Sequence, residues 1–285
     1  MPAKIELTEE QLKEMVRLRT KERMNYSQIA RIMGVSQQTV KRRLTDKLGV
    51  DDVPLKYQYD RYFFHNIDTK EKAYWLGFIT ADGYVNEDRN LLQIHLQWPD
   101  REHLEKFKRA LQAESRIQVK QEIHSITGNP IATLVLNGKE VVEGLVKQGV
   151  RQVKSGIELP PENIPEEFIP DYIRGLWDGN GHIDYKKIDL RSSYKMCSWV
   201  QDILVQKCGV SKTVIGFDSN IYRLFCCKNR INVLKYLYYP CVNKNICLNR
   251  KYKQAKVLML RDLKESFTAV QSQRLYEDSG LRGRN

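Results

Sequence analysis

Two short stretches of this sequence carry residues suited to hard-cation chemistry. AYWLGFITADGYV runs from Ala73 to Val85, and YIRGLWDGNGHI from Tyr172 to Ile183. Each is an apolar segment closing on an acidic or amide residue that precedes glycine: Asp82 before Gly83, and Asn180 before Gly181. A helix C-terminus exposes unpaired carbonyls and the negative end of the macrodipole. A carboxylate there, joined by main-chain oxygens, makes a hard-oxygen site for Mg²⁺. An Asp-Gly pair by itself reads as a turn; what distinguishes Asp82 is that its setting occurs twice. Asp178 is a weaker candidate, because its register in the second stretch matches Thr80 rather than Asp82.

The elements that must position these residues follow from the small residues four apart. Gly77 and Ala81 in the first stretch, and Gly175 and Gly179 in the second, let two helix backbones approach closely. If the helices pair, Asp82 and Asn180 end side by side. Gly83 and Gly181 stand where a left-handed C-cap is expected. The offset is the same for both landmarks, 180 − 82 = 98 and 175 − 77 = 98, so the repeat is in register at its signature.

The repeat extends beyond the signature. The first unit reads as a helix over 70–81, a strand over 83–86 and an alternation of Leu92, Ile94, Leu96 and Trp98. A helix over 101–112, strands near 116–123 and 131–136 and a helix over 138–148 follow. The second unit reads as a helix over 168–179, strands within 182–193, a helix over 195–207, strands within 212–226 and a helix over 230–238. A proline-rich bridge, LPPENIPEEFIP, separates the two and sets the second signature helix to start near Pro170. A basic helix over 249–263 and a polar tail, read as disordered, close the chain.

Residues 8–48 read as a separate all-helical unit. Thr8 caps a helix carrying Leu12, Met15, Val16 and Arg19 at helical spacing. YSQIARIMGVSQQTVKRRL then gives a helix with Ile29, Ala30 and Met33 inward, a turn at Gly34, Ser36 as N-cap, and a helix with Val40 and Leu44 inward. That is a helix-turn-helix pattern. Its outward face offers Gln37, Gln38, Thr39, Lys41, Arg42 and Arg43, amides for adenine edges and cations for phosphates. Residues 49–69 read as a connector.

Composition narrows the partners. Forty-seven basic against 35 acidic residues give +12, which favours a polyanion such as nucleic acid over an acidic metabolite. No apolar run approaches the roughly 20 residues of a membrane span, and MPAKIELTEEQ lacks a signal-peptide core, so a cytoplasmic protein without membrane contact is expected. Six cysteines in the last third, with no C-x-x-C pair, read as reduced core thiols. His65, His95, His103, His124 and His182 form no metal-ligand pattern.

The doubled signature, the repeated order of helices and strands and the basic surface resemble the monomeric LAGLIDADG homing endonucleases over about residues 65–260. The resemblance implies an α+β fold of two pseudo-symmetric αββαββα units, here preceded by the small all-α helix-turn-helix domain. The expected domains are 1–48, a linker 49–69, units 70–159 and 160–263, and a tail 264–285. It also implies a monomer that binds double-stranded DNA and hydrolyses its phosphodiesters with Mg²⁺, Ca²⁺ and Mn²⁺ being able to occupy the same sites. The metal ligands so implied are Asp82, Asn180 and the main-chain oxygens of Ala81 and Gly179. Lys154 and Lys251, 97 residues apart (251 − 154), match the family's basic residue beside each active site. Sheet residues Gln93, His95, Gln97, Lys120, Arg191 and Arg223 would read the major groove. Asn180 departs from the pattern, since the family has Asp or Glu there, so nicking or loss of cleavage is expected. A non-cleaving DNA-binding regulator and an RNA-splicing helper are the alternatives.

Overall fold

A computed structural model describes residues 7–20, 24, 26–47, 59–113, 120–124, 128–151, 157–239 and 246–278. The chain divides into two compact units, the first of N-terminal residues, the second beginning at Asp60.

In the first unit, α1 (Glu9–Thr20), α2 (Tyr26–Met33) and α3 (Gln37–Arg42) are followed by a π-turn over Arg43–Lys47. Thr8 and Gln11 form a reciprocal capping box, the Gln11 N–H donating to Thr8 Oγ1 at 3.2 Å and the Thr8 N–H to Gln11 Oε1 at 2.9 Å. Gly34 takes φ +65°, a left-handed position suited to glycine, and the Val35 N–H donates back to the Ala30 carbonyl. Ser36 then caps α3 through the Thr39 N–H. Met15, Leu18, Ile29, Ala30, Val40 and Leu44 form the core. Arg19 is buried with them, donating to the Met24 carbonyl and lying over the Tyr26 ring.

The second unit contains two copies of one plan. The first is α4 (Lys70–Asp82), β1 (Gly83–Asn86), β2 (Leu91–Gln97), α5 (Arg101–Ala110), β3 (Lys120–Ile123), β4 (Pro130–Asn137) and α6 (Lys139–Lys147). The second is α7 (Ile169–Asn180), β5 (Gly181–Ile183), β6 (Ile188–Ser192), α8 (Tyr194–Cys208), β7 (Gly216–Asp218), β8 (Ile221–Cys226) and α9 (Arg230–Tyr238), followed by α10 (Asn249–Asp278). Both sheets are antiparallel and share one topology, β1-β2-β4-β3 and β5-β6-β8-β7. Leu92, Ile94, Leu96, Leu134 and Leu136 fill the inner face of the first sheet, and Ile188, Leu190, Leu224 and Cys226 that of the second.

Helices α4 and α7 pack on each other, and each is buried on all sides, over Ala73–Thr80 and Asp171–Asp178. A methyl group on Gly77 would overlap the Tyr172 carbonyl, and one on Gly175 the Tyr74 carbonyl. Tyr74 and Tyr172 each lie three residues before their own glycine, so the contact is reciprocal, as the sequence spacing requires.

Four expectations are corrected. Gly83 and Gly181 are extended, with φ −76° and −86°, and they open β1 and β5 instead of closing a left-handed cap. Their need for glycine is steric, since a Cβ would run into Ile79 and Trp177 respectively. Trp98 leaves the β2 alternation because Pro99 turns the chain into a 3₁₀ turn over Trp98–Asp100. The last helix continues to Asp278, because no glycine or proline interrupts its Lys, Leu, Gln and Arg content before Gly280. Phe63, Phe64 and Ile67, read as connector, are core residues, with Gln148 donating to the Phe64 carbonyl.

Candidate functional site

The C-termini of α4 and α7 meet. A Cβ on Gly179 would overlap that of Ala81 and would lie 3.4 Å from Asp82 Cγ and 3.5 Å from Oδ2. Asp82 and Asn180 are both half-buried at these ends. The close approach that the four-residue spacing anticipates therefore brings Asp82 against Gly179, the residue before Asn180.

Lys251 joins them from the first turn of α10 and is 2% exposed. Its ammonium donates to the main-chain oxygens of Trp177 at 2.6 Å, Gly181 at 2.6 Å and Gly179 at 3.3 Å. It thus adds a charged donor to main-chain oxygens where α7 passes into β5, the Trp177 oxygen also accepting the Gly181 N–H. Burial lowers its pKa to about 8, against the opposing pull of Asp178 and Asp82; at neutral pH it is a cation. Lys154, its counterpart in the first copy, lies outside the described residues.

The segment leading to Lys251 is held on several sides. The Leu248 N–H donates to Asp178 Oδ2 at 2.6 Å, and Lys106 donates to the Cys247 carbonyl and to Asn249 Oδ1. Asn249 donates to Glu102, and Arg250 pairs with Asp100 at 2.7 Å. Arg174, fully buried, pairs with Asp171 at 2.6 Å and donates to the Leu237 and Ile246 carbonyls.

Asp178 is fully buried and belongs to this scaffold. Its carboxylate accepts from Tyr74 Oη at 2.7 Å, from Tyr238 Oη at 2.6 Å and from the Leu248 N–H. Burial raises its pKa above the ordinary carboxylate value, with Lys251 pulling the other way. Tyr74 Oη also accepts from His103 Nε2, 2.9 Å away. That bond fixes the His103 tautomer and leaves its buried Nδ1 without a hydrogen-bond partner. Burial, followed by the cations Lys106, Arg250 and Lys251, holds His103 well below its ordinary pKa. Sequence reasoning missed this chain, because Tyr74, His103 and Tyr238 carry no spacing signal that relates them.

The residues at the two helix ends differ in how they suit a divalent ion. Asp82 offers a carboxylate beside a helix C-terminus, a donor set that fits a hard cation. The α7 end offers the neutral amide of Asn180 and carbonyls already held by an ammonium, and this set does not fit one. Among the described residues no group of three or more His, Cys, Asp or Glu side chains gathers as a cation site.

The outer sheet faces carry the expected polar residues in a more connected form. In the first sheet Lys120, Thr133 and His95 lie in one cross-strand row. His95 Nδ1 bonds to Thr133 Oγ1 at 2.9 Å, and Thr133 donates to Glu122. Gln97 and Lys120 are exposed and Gln93 is half-buried. In the second sheet Arg191 is exposed and stands opposite Arg223. Arg223 pairs with Asp189 at 3.1 Å and with Asp218 at 3.4 Å, and lies over Phe225.

In the N-terminal unit, Gln37, Gln38, Lys41 and Arg42 are exposed, whereas Thr39 is half-buried against the Ser36 hydroxyl. Arg43 is corrected: it is 8% exposed, because it stands three residues after Val40 and beside Leu44, on the inward face.

Residues 69–148 match the family described as LAGLIDADG-like domain, and residues 6–48 the family described as Sigma-70, region 4. A curated relative, the replication factor C small subunit of Methanocaldococcus jannaschii, is 25% identical over 160 residues; these are 55% of this chain, and the chain spans only 8% of that protein. Among solved structures, the homing endonuclease I-WcaI bound to its DNA recognition sequence is 17% identical, with 66% of this chain and 87% of that chain covered and a TM-score of 0.48. Full-length DUF199/WhiA from Thermatoga maritima is 10% identical, with 76% and 73% covered and a TM-score of 0.43. By these matches the chain carries a LAGLIDADG-like domain over residues 69–148 behind an N-terminal segment similar to Sigma-70, region 4, and the αββαββα plan of the first copy recurs in the second.

Proposed function

We propose that this chain binds double-stranded DNA at a specific site and hydrolyses one of its strands at the Asp82 end of the paired helices. What supports the reading is one observation: Asp82 is brought against Gly179 at the junction of α4 and α7, each of which leads directly into a sheet with a polar outer face. Asp82 would hold the divalent ion, Mg²⁺ or in its place Mn²⁺ or Ca²⁺, with the Ala81 main-chain oxygen beside it. When bound, such an ion supplies Lewis-acid polarisation of a phosphate and activation of water. Lys251 fixes the end of α7 and adds positive charge beside the reacting phosphate. Gln93, His95, Gln97, Lys120, Arg191 and Arg223 would face the groove, and Gln37, Gln38, Lys41 and Arg42 would extend the footprint.

The experiment is incubation of the full chain with Mg²⁺ and supercoiled plasmids carrying sites selected from a random library. Open-circle product that disappears in Asp82→Asn supports the reading, whereas site-specific binding without any cleavage in the native chain defeats it. A second reading, a non-cleaving DNA binder, is favoured by the neutral amide at Asn180 and accounts for that second result.

A further inference from the structure

The two helix ends are related by the repeat, yet they carry different residues, Asp82 at one and Asn180 at the other. We propose that Lys251 is the resident cation of the α7 end, so that the site takes a single divalent ion, at Asp82. The proposal rests on the reading of Asp82 as a metal-holding residue, and extends it to how many ions the site holds and why.

Three observations carry it. The Lys251 ammonium is within hydrogen-bond reach of three main-chain oxygens at the junction of α7 and β5, those of Trp177, Gly179 and Gly181. One of them, the Gly179 oxygen, is the main-chain ligand that a divalent ion at this end would need. The ammonium is also fixed from behind: Leu248, Asn249 and Arg250 are tied to Asp178, Glu102 and Asp100, so withdrawing Lys251 strains a segment anchored on both copies of the fold. Finally, Asn180 brings no charge to compete for a metal, which leaves one monovalent cation balanced against the helix dipole. Replacing Asn180 alone with Asp would therefore give Lys251 a carboxylate partner and would not open a second metal site.

The test counts Mn²⁺ bound to the full chain by electron paramagnetic resonance, in the presence of a mixed-sequence DNA duplex. The native chain and Asn180→Asp are each expected to bind one ion, Asp82→Asn none, and the double variant Asn180→Asp with Lys251→Met two. Two ions on the native chain, or a second ion of equal affinity on Asn180→Asp alone, overturn the proposal while leaving the nuclease reading in place. Loss of binding in Asp82→Asn with no plasmid cleavage by the native chain defeats the nuclease reading and leaves the single-ion count standing. Asn180 is half-buried, so its substitution keeps the test available if Lys251→Met fails to fold. In that event the native and Asn180→Asp counts decide.

Discussion

Tyr74 donates to Asp178 across the paired helices at 2.7 Å, while Tyr172 and Thr80, the same two positions exchanged between the copies, stand at 3.5 Å. The repeat has thus kept the geometry of this contact and charged only one of its ends. Asp178 holds Tyr238 and the chain before Lys251 as well, whereas Thr80 turns its hydroxyl back to the Leu76 carbonyl.

Removing the charged member should cost far more than removing the neutral one. Asp178→Ala leaves two buried phenols and a main-chain N–H without their acceptor, and a loss of about 3 kcal/mol or more is expected. Thr80→Val should cost about 1 kcal/mol. Urea unfolding of the two variants checks the ranking, and equal losses would mean that Asp178 does not organise the helix pair.

The helix seam tolerates no added carbon. Alanine normally gains about 1 kcal/mol over glycine inside a helix. Here Gly77→Ala and Gly175→Ala should each destabilise by about 3 kcal/mol, since the new methyl meets a main-chain carbonyl that cannot move aside. Thermal melts of both variants measure this.

His103 gives the molecule an acid limit. Its pKa in the folded state lies below the ordinary value near 6.5, so the unfolded chain binds the proton more readily. The stability it permits is full above about pH 6.5 and is lost as pH falls below it. Stability measured between pH 7 and pH 5 should decline for the native chain and decline less steeply for His103→Gln. Parallel curves would show that His103 is not the group responsible.

In the N-terminal unit the three cations of α3 and its turn should separate by burial. Lys41→Ala and Arg42→Ala should weaken DNA binding on all sequences alike, each reducing the salt slope by about one. Arg43→Ala should leave that slope unchanged and lower the melting temperature, because its side chain is packed inside. Fluorescence anisotropy over a salt series, together with melting curves, distinguishes them.

Much of this was legible in the sequence because short-range rules govern it. The fixed 98-residue offset located both signature helices, glycine at four-residue spacing foretold their contact, and apolar alternation placed β2. Lys251 was found only through family resemblance, and nothing in its neighbourhood announced that its ammonium would cap α7. The Tyr74, His103 and Asp178 chain was hidden for the same reason: its members are 29 and 104 residues apart in sequence and meet through tertiary packing. Arg43 misled by its charge: helical spacing from Val40 puts it on the inward face with Leu44, where a guanidinium is rarely buried.

On the proposed reading the two helix ends, at Asp82 and Asn180, are chemically unequal and only the Asp82 end would cleave. End-labelling each strand of a selected duplex site and digesting with the native chain and Mg²⁺ tests it directly. Cleavage confined to one strand, abolished by Asp82→Asn, is the expected result; cleavage of both strands at equal rates would contradict it.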